Sequence, residues 1–533
     1  MKRKVLTSLL ILIVGVISAQ THFEDGLSAE WHKTRREALR ERMAPNTMAI
    51  FFNNSVKNRT NDVDYVYHPD TDFFYMTGFR EPNSVLIIFS EERDFGDFKA
   101  DEIIYVQNRD PRAEMWNGKR LGVEGVKDIL GFEHVFVNSE FGVTPKLNTE
   151  DFDKFFSLDL SNGVAGSRSN LALRKMLFQY KELSQYPEED NPVSIQAYEL
   201  IRTTEVENSA NVAQILGRMR QRFPDIEDDE IINNYISATS PEERLKVKEA
   251  LPRTKADVQT LAQAMDVLRE VKTPEEIELL AKAVKISAIG QVEVMKAAKE
   301  GMSEREIQGI HEFIWKRYGS EEIGYPSIVG AGHNGCILHY VENDMSNISK
   351  RLVLMDLGAE WRGYTADVTR TIPISGEFNE EEELIYNLVL KSQEAGIELC
   401  RAGVEFGEIG RVTRQIINEG LAELGIIKEG EQHNYFPHGT SHHLGLDVHD
   451  RGGYGPLKPG VVLTVEPGIY IPEGSNCDPK WWNIAVRIED DILVTEGEPV
   501  NLSVDAPRTV AAIEEMMKLP SALDTWTLPE INQ

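Results

Sequence analysis

The spacing of apolar and polar positions divides the chain into regions of different period. From about residue 30 to 185, short apolar runs such as TMAIFF (47–52) and SVLIIF (84–89) alternate with helix-period stretches, which predicts an α/β domain. From 186 to 262 the pattern gives way to charged, helix-forming sequence (PDIEDDE, SPEERLKVKEALPRTKAD), read as a helical acidic insert or linker. A new region opens at Thr273, where Pro274 and Glu276 supply the first helical proline and the capping-box glutamate. Ser303 and Glu306 repeat that spacing before Ile307, Ile310, Phe313 and Ile314, one face of a helix. Strand-like runs then return as RLVLMD, GYTADVTRT, VVLTVEPG and AVRIEDDILV, with helical stretches between them. Over 266–510 this order predicts an α+β domain whose curved antiparallel sheet gathers side chains from several strands. Residues 511–533 are read as a C-terminal tail, the last fifteen or so of them loosely held.

The first residues follow another logic. MKRK precedes the apolar stretch VLTSLLILIVGVISA, too short for a comfortable membrane span, and polar sequence begins near Gln20. This is the form of a secretory signal peptide over 1–19, so the chain is expected to be secreted, periplasmic or extracellular in a bacterium, without stable membrane insertion. Three cysteines, Cys336, Cys400 and Cys477, allow at most one disulfide, so stability must come from packing. A length of 533 residues with 41% hydrophobic and 27% charged content suits two or more globular domains. The formal charge of −30 becomes −30 − 3 = −33 without Lys2, Arg3 and Lys4, and such a surface excludes nucleic acid as a partner.

Acidic residues inside apolar runs carry the chemistry. Asp356 ends RLVLMD and Asp367 lies in GYTADVTRT, with only LGAEWRG between, so the two are expected on one face of a hairpin. Glu466 and Glu489 sit inside VVLTVEPG and AVRIEDDILV, places that carboxylates rarely occupy without a partner. Crowded carboxylates repel unless protons or cations compensate. With His442 they form a ligand set of four carboxylates and one imidazole, suited to two divalent cations. Oxygen ligands with one nitrogen and no sulfur favour Mn²⁺, with Zn²⁺ or Co²⁺ as alternatives.

The stretches SIVGAGHNGCILHY, LVLMDLGAEWRGYTADVTRTIPISG, FPHGTSHHLGLDVHD, LTVEPGIYI and VRIEDDILVT resemble, in order, the "pita-bread" catalytic domain of the M24 metallopeptidases, in particular their Xaa-Pro aminopeptidase (aminopeptidase P) branch. DTDFFYMTGFREP and AEMWNGKRLG resemble that branch's N-terminal, creatinase-like domain. The resemblance implies that Asp356 chelates one metal, that Asp367 and Glu489 bridge both, and that His442 and Glu466 complete the second. It implies a metal-bridging hydroxide as nucleophile and Glu466 as its acid/base partner. His339 and His449 would line the substrate cleft, and His438 would lie near the metals without binding them. Tyr325, Tyr454, Tyr470 and Arg487 would shape the proline subsite. Trp116 would be lent to a neighbouring subunit's cleft, so a homo-oligomer, dimer or tetramer, is implied. For His333, His433 and His443 a structural role is preferred.

The expected activity is removal of the N-terminal residue from peptides with proline second. A prolidase, confined to Xaa-Pro dipeptides, would share every ligand. A noncatalytic peptide-binding module, or a metal-independent amidinohydrolase, would have no use for four clustered acids.

Overall fold

A computed structural model of the chain describes residues 23–158, 160, 171–186, 191–251, 254–525 and 529. The expected signal peptide over 1–19 lies outside the described residues. Two units are formed, one essentially Ser28–Leu261 and the other essentially Ala262–Gln533.

In the first unit, the apolar run Thr47–Phe52 becomes β1, an interior strand of a mixed sheet. The sheet also contains β2 (Val85–Asp94), β3 (Lys99–Val106), β4 (Val135–Val137), β5 (Lys154–Ser157) and β6 (Ala256–Asp257), in the order β4-β3-β2-β1-β5-β6. β1 runs antiparallel to β2, with Ile50 opposite Ile87, and parallel to β5, with Ala49 opposite Phe156. Met48, Ala49, Ile50 and Phe51 are all buried, so both faces of β1 are covered, which is why the run is continuously apolar rather than alternating.

Segment 186–262, read as a helical acidic insert or linker, is helical and has a core of its own. Helices Pro192–Thr203, Ser209–Arg222, Glu230–Ser237 and Pro241–Glu249 close on a core of their own that includes Ile201, Leu216, Ile226 and Ile232. The segment then re-enters the first sheet, where Ala256 pairs with Phe155. Its acidic runs lie at exposed positions, and their density hides the few apolar positions that build the core.

The second unit starts with α1 (Thr260–Glu270), whose first residues belong to the first unit, and α2 (Pro274–Ala297). Thr273 caps α2 with the reciprocal Glu276 bond, and Ser303 with Glu306 does the same for α3 (Glu304–Arg317). Strands β7 (Ile328–Ala331), β8 (Leu352–Asp356), β9 (Glu360–Trp361), β10 (Tyr364–Thr365) and β11 (Thr369–Pro373) follow. After α4 (Glu380–Glu398) and α5 (Phe406–Glu423) come β12 (Val462–Val465), β13 (Gly468–Ile471), β14 (Ile484–Arg487) and β15 (Asp490–Leu493). Every pairing among these strands is antiparallel. Their inner faces share a core with the helices that includes Val353, Met355, Ile372, Val389, Ile417 and Val486.

The segment read as a C-terminal tail over 511–533 begins as a packed helix. Thr509 caps a helix α6 (Val510–Met517), and Ile513 is fully buried in the same core with Met516 and Met517 beside it. Beyond it, the Ala522 N–H donates to Glu293 Oε2 at 2.8 Å. Ile513, Met516 and Met517 stand at i, i+3 and i+4, a face that packs once the rest of the unit is present.

Candidate metal centre

Asp356 and Asp367 are brought together by one hairpin. Asp356 pairs with Thr369, Leu357 N–H donates to Val368 O at 3.3 Å, and Glu360 pairs with Thr365. The register is constant, so the two aspartates are diagonal rather than directly opposed; Asp367 shares the face of Thr369, two residues on. The turn is made by Arg362 and Gly363, with φ of 53° and 89°, the pair of positive angles that a two-residue hairpin turn requires. A Cβ on Gly358 would lie 2.0 Å from Ala366 O and 2.6 Å from Tyr325 Cε1, so this position of the hairpin admits no side chain.

The other candidate ligands arrive by the same device. Residues 440–444 run antiparallel to β12, with Thr464 N–H donating to His442 O at 3.0 Å and Glu466 N–H to Thr440 O at 2.8 Å. His442 and Glu466 are therefore diagonal as well. Glu489 joins β14 to β15, and its N–H donates to Thr369 O at 3.1 Å, tying it to the aspartate hairpin. One oxygen each of Asp367 and Glu489 and one nitrogen of His442 lie within 4.8 Å of one another. His442 Nε2 stands 3.4 Å from Asp367 Oδ2 and 3.7 Å from Glu466 Oε1, while its Nδ1 bonds the His443 carbonyl at 3.0 Å. That second bond commits Nδ1 as donor and leaves Nε2 aimed at the acids, the orientation of a metal-ligating imidazole.

Around the acids runs a set of supporting bonds. Tyr325 OH lies 2.5 Å from Asp356 Oδ1 and 2.6 Å from Asp367 Oδ1, and burial beside the acids pushes its phenol well above the usual range, so it acts as a donor. Arg487 Nη2 donates to Asp356 Oδ2 at 2.6 Å, Nη1 to Tyr470 OH at 2.9 Å, and Nε to Thr369 Oγ1 at 3.2 Å. Thr369 Oγ1 donates in turn to Glu489 Oε2 at 2.7 Å. Tyr470 OH bonds His438 Nε2 at 2.8 Å, and His438 Nδ1 bonds Gly439 O at 2.7 Å. Burial and the Arg487 charge hold His438 down to about 3, so it is neutral, with Nδ1 donating and Nε2 accepting.

Charge exposes what the arrangement lacks. Fully ionised, the four carboxylates face Arg487 and a charged His442, which leaves −4 + 2 = −2 within the group. Burial, with Asp367 and Glu466 nearby, pushes Glu489 well above the carboxylate range. Burial raises Glu466 to about 7 against the pull of His442 and Arg487. Asp356 is raised by burial and by Asp367 against Arg487. Burial opposes charge on His442, but Asp367 and Glu466 outweigh it and push the imidazole up to about 9, and Asp367 is lowered in return. Without metal, protons stand where cations would. This excess, met by hard oxygen donors and one imidazole, fits two divalent ions.

The other predicted residues fall in different places. The His449 ring lies on that of His442, centroids 4.0 Å apart, and stays neutral through burial and the His442 charge. His339 is exposed and close enough to His438 and His449 to be felt electrostatically at both. Tyr454 does not join the acids: it is 69% exposed, and its ring packs edge-on against Phe406 and His443. Trp116 belongs to the first unit, on the helix Pro111–Asn117, and is 86% exposed. Of the three histidines read as structural, His433 bonds Asn418 and His443 bonds Gly453 O, while His333 is exposed.

Three supporting residues escaped the sequence reading. Thr369 bridges Arg487 and Glu489, and only its two-residue offset from Asp367 signals it. Asp491, two residues after Glu489, accepts the Asp367 N–H at 3.0 Å through Oδ2. Arg370 is fully buried, and its five N–H donors reach Pro507 O, Thr369 O, Glu489 O, Asp490 Oδ1 and Ala506 O at 2.7 to 3.0 Å.

Comparison with known proteins agrees with this geometry. Residues 278–496 match Metallopeptidase family M24, and residues 32–150 match the aminopeptidase P N-terminal domain. The chain is 31% identical to the Xaa-Pro aminopeptidase of Escherichia coli (strain K12), over 92% of this chain and 98% of that one. It is 32% identical to the Xaa-Pro aminopeptidase of Haemophilus influenzae, with the same coverage. The solved structure of aminopeptidase P from E. coli with the inhibitor Pro-Leu superimposes with a TM-score of 0.71 at 30% identity, covering 92% of this chain and 98% of that chain. Two domains in the family's order, matched along nearly the whole of such relatives, make this chain a metallo-aminopeptidase of family M24, a member of its aminopeptidase P branch.

Proposed function

We propose that this enzyme is an exported, dinuclear Xaa-Pro aminopeptidase that releases the first residue of peptides whose second residue is proline. The observation that carries the reading is the convergence of Asp356, Asp367, His442, Glu466 and Glu489 on one buried, charge-deficient group. Asp367, His442 and Glu489 offer donor atoms within 4.8 Å of one another, Glu466 adjoins His442, and Asp356 is joined to Asp367 through Tyr325, so these five side chains would hold the ions. Mn²⁺ is the ion expected first, and Zn²⁺ or Co²⁺ would satisfy the same donors. When bound, such a pair supplies an activated water and polarises the scissile carbonyl.

The chain's own residues do the rest. Glu466 is placed to take a proton at a carboxylate oxygen and return it to the departing amine. The neutral His449 imidazole, standing at the exposed side of His442, offers an N–H to the oxygen that becomes negative, and His339 supports it from the rim. Arg487 holds Asp356 and Tyr470 in place, and Tyr470 fixes the His438 tautomer.

Proline preference is supported by chemistry and by a relative. A prolyl amide has no N–H, so its subsite needs an apolar wall and no acceptor, which the rings of Tyr470 and His438 supply. The E. coli relative takes Pro-Leu as an inhibitor. A proline-headed dipeptide is what remains when Xaa-Pro-Leu loses its first residue, and it is too long to be the product of a prolidase. The intact ligand set argues against a noncatalytic module.

The test is cleavage of Xaa-Pro-Xaa, Xaa-Pro and Xaa-Ala-Xaa peptides, followed by mass spectrometry after chelation and after Mn²⁺ return. Release of the first residue from the proline tripeptide, restored by Mn²⁺, is expected. Hydrolysis of the dipeptide alone would favour a prolidase, and no metal-dependent hydrolysis would favour a binding module. Export predicts a mature N-terminus near Gln20 in protein recovered outside the cytoplasm. Assembly as a dimer or tetramer, with Trp116 at the contact, predicts a mass above 60.3 kDa in solution.

A further inference from the structure

Asp450 follows His449 in the chain, yet the two side chains part. His449 is exposed, with its ring on His442, whereas the Asp450 side chain is 2% exposed and turned inward. Its Oδ1 accepts from Arg269 Nη2, and its Oδ2 meets Lys272 Nζ at 3.0 Å. Arg269 and Lys272 are themselves each 1% exposed. Arg269 Nη2 also reaches Asp447 Oδ2 at 2.9 Å, so one guanidinium from the end of α1 holds the loop at two points. Lys272 is fixed by its own N–H, which donates to Gly460 O at 2.9 Å. A Cβ on Gly445 would lie 1.9 Å from Asp450 Oδ2 and 3.1 Å from Lys272 Cε, so the carboxylate packs against bare backbone.

Burying three charges is an expensive way to fasten a loop. Apolar residues of similar volume would usually hold it as well or better, so such a cluster is weak as a source of stability, and its use lies in fixing one arrangement. What it fixes here is specific. Among the described residues, His449 has no side-chain hydrogen bond; its ring is held by the His442 stack and by the backbone on which it stands. The Asp450 N–H closes that backbone on His443 O at 2.9 Å, and His443 bonds Gly453 O at 2.8 Å across the loop.

We propose that Asp450, clamped by Arg269 and Lys272, is a positioning residue that sets the His449 imidazole over the metal ligand His442 for peptide hydrolysis. The inference rests on the hydrolytic reading given above. Displacing a reacting group by about 1 Å costs on the order of 10²-fold in rate. Asp450→Asn is therefore expected to lower kcat by about that factor, with KM and bound metal unchanged. His449→Ala is expected to lose a comparable amount, and adding Asp450→Asn to His449→Ala to cost nothing further, because both act through one group. Additive losses would mean that Asp450 serves stability or another residue and would overturn the inference. Should Asp450→Asn fail to fold, Lys272→Met leaves Arg269 and Asp450 balanced and goes through the same cycle. If the wild-type chain cleaves no proline peptide, the functional reading fails separately. The crystal structure of the variant then decides: a His449 ring moved off its 4.0 Å stack supports the inference, and an unmoved ring overturns it.

Discussion

Replacing the proposed ligand Glu466 should stabilise this protein in the absence of metal. Burial holds the Glu466 carboxyl at about 7, against 4.5 for the ordinary group, with Asp367 and Asp356 adding to the rise. A raised carboxyl binds its proton more tightly in the folded state, so its penalty is absent below about pH 4.5, grows as pH rises toward 7 and is constant above. The shift of 7 − 4.5 = 2.5 is worth about 3 kcal/mol at roughly 1.4 kcal/mol per unit. Glu466→Gln keeps the shape and removes the charge. At pH 8 in chelator it should be more stable than wild type by up to about 3 kcal/mol, roughly 5–10 °C in the melting of a unit this size. At pH 4.5 the difference should vanish. With saturating Mn²⁺ the order should invert, because only wild type gains full binding energy. Differential scanning calorimetry at both pH values, with and without metal, measures all of this. A metal-free Glu466→Gln chain that melts below wild type at pH 8, or by the same margin at every pH, would refute the electrostatic reasoning.

Other consequences can be checked with single variants. Arg370→Met takes the donors from the carbonyls of Pro507, Glu489 and Ala506 and leaves Asp490 to Ser503, Gln393 and Arg508, and should cost about 3 kcal/mol or more, read as a lower melting temperature or loss of soluble protein. Gly358→Ala must push Ala366 or Tyr325 away and open the aspartate hairpin, so Mn²⁺ affinity by calorimetric titration should fall at least tenfold while far-UV circular dichroism is kept. Ile513→Ala removes a fully buried side chain from the core and should cost about 2–5 kcal/mol in thermal unfolding, whereas a loose tail would show no effect.

Legibility followed the physics of each feature. The candidate ligand acids stood out because carboxylates inside apolar strands are anomalous in one dimension, and the capping boxes at Thr273 and Ser303 because they are local. The diagonal placing of Asp356 and Asp367 needed the hairpin's register, which the Arg362–Gly363 turn sets. The core of 186–262 was hidden by the charged surface around it, and α6 by its shortness, since its single apolar face acquires meaning only beside α2 and α4. Arg269 and Asp450 lie 181 residues apart, and nothing local announces such a pairing. Tyr454 matched a motif yet packs on Phe406 and His443, a reminder that a turn residue's direction is set by its neighbours in space.

The most direct measurement is anomalous diffraction from crystals grown with Mn²⁺. The account predicts two peaks about 3.5–4 Å apart among Asp356, Asp367, His442, Glu466 and Glu489, with Asp367 and Glu489 touching both. Crystals of active enzyme with no peak at these five side chains, or with metal bound only elsewhere, would contradict it.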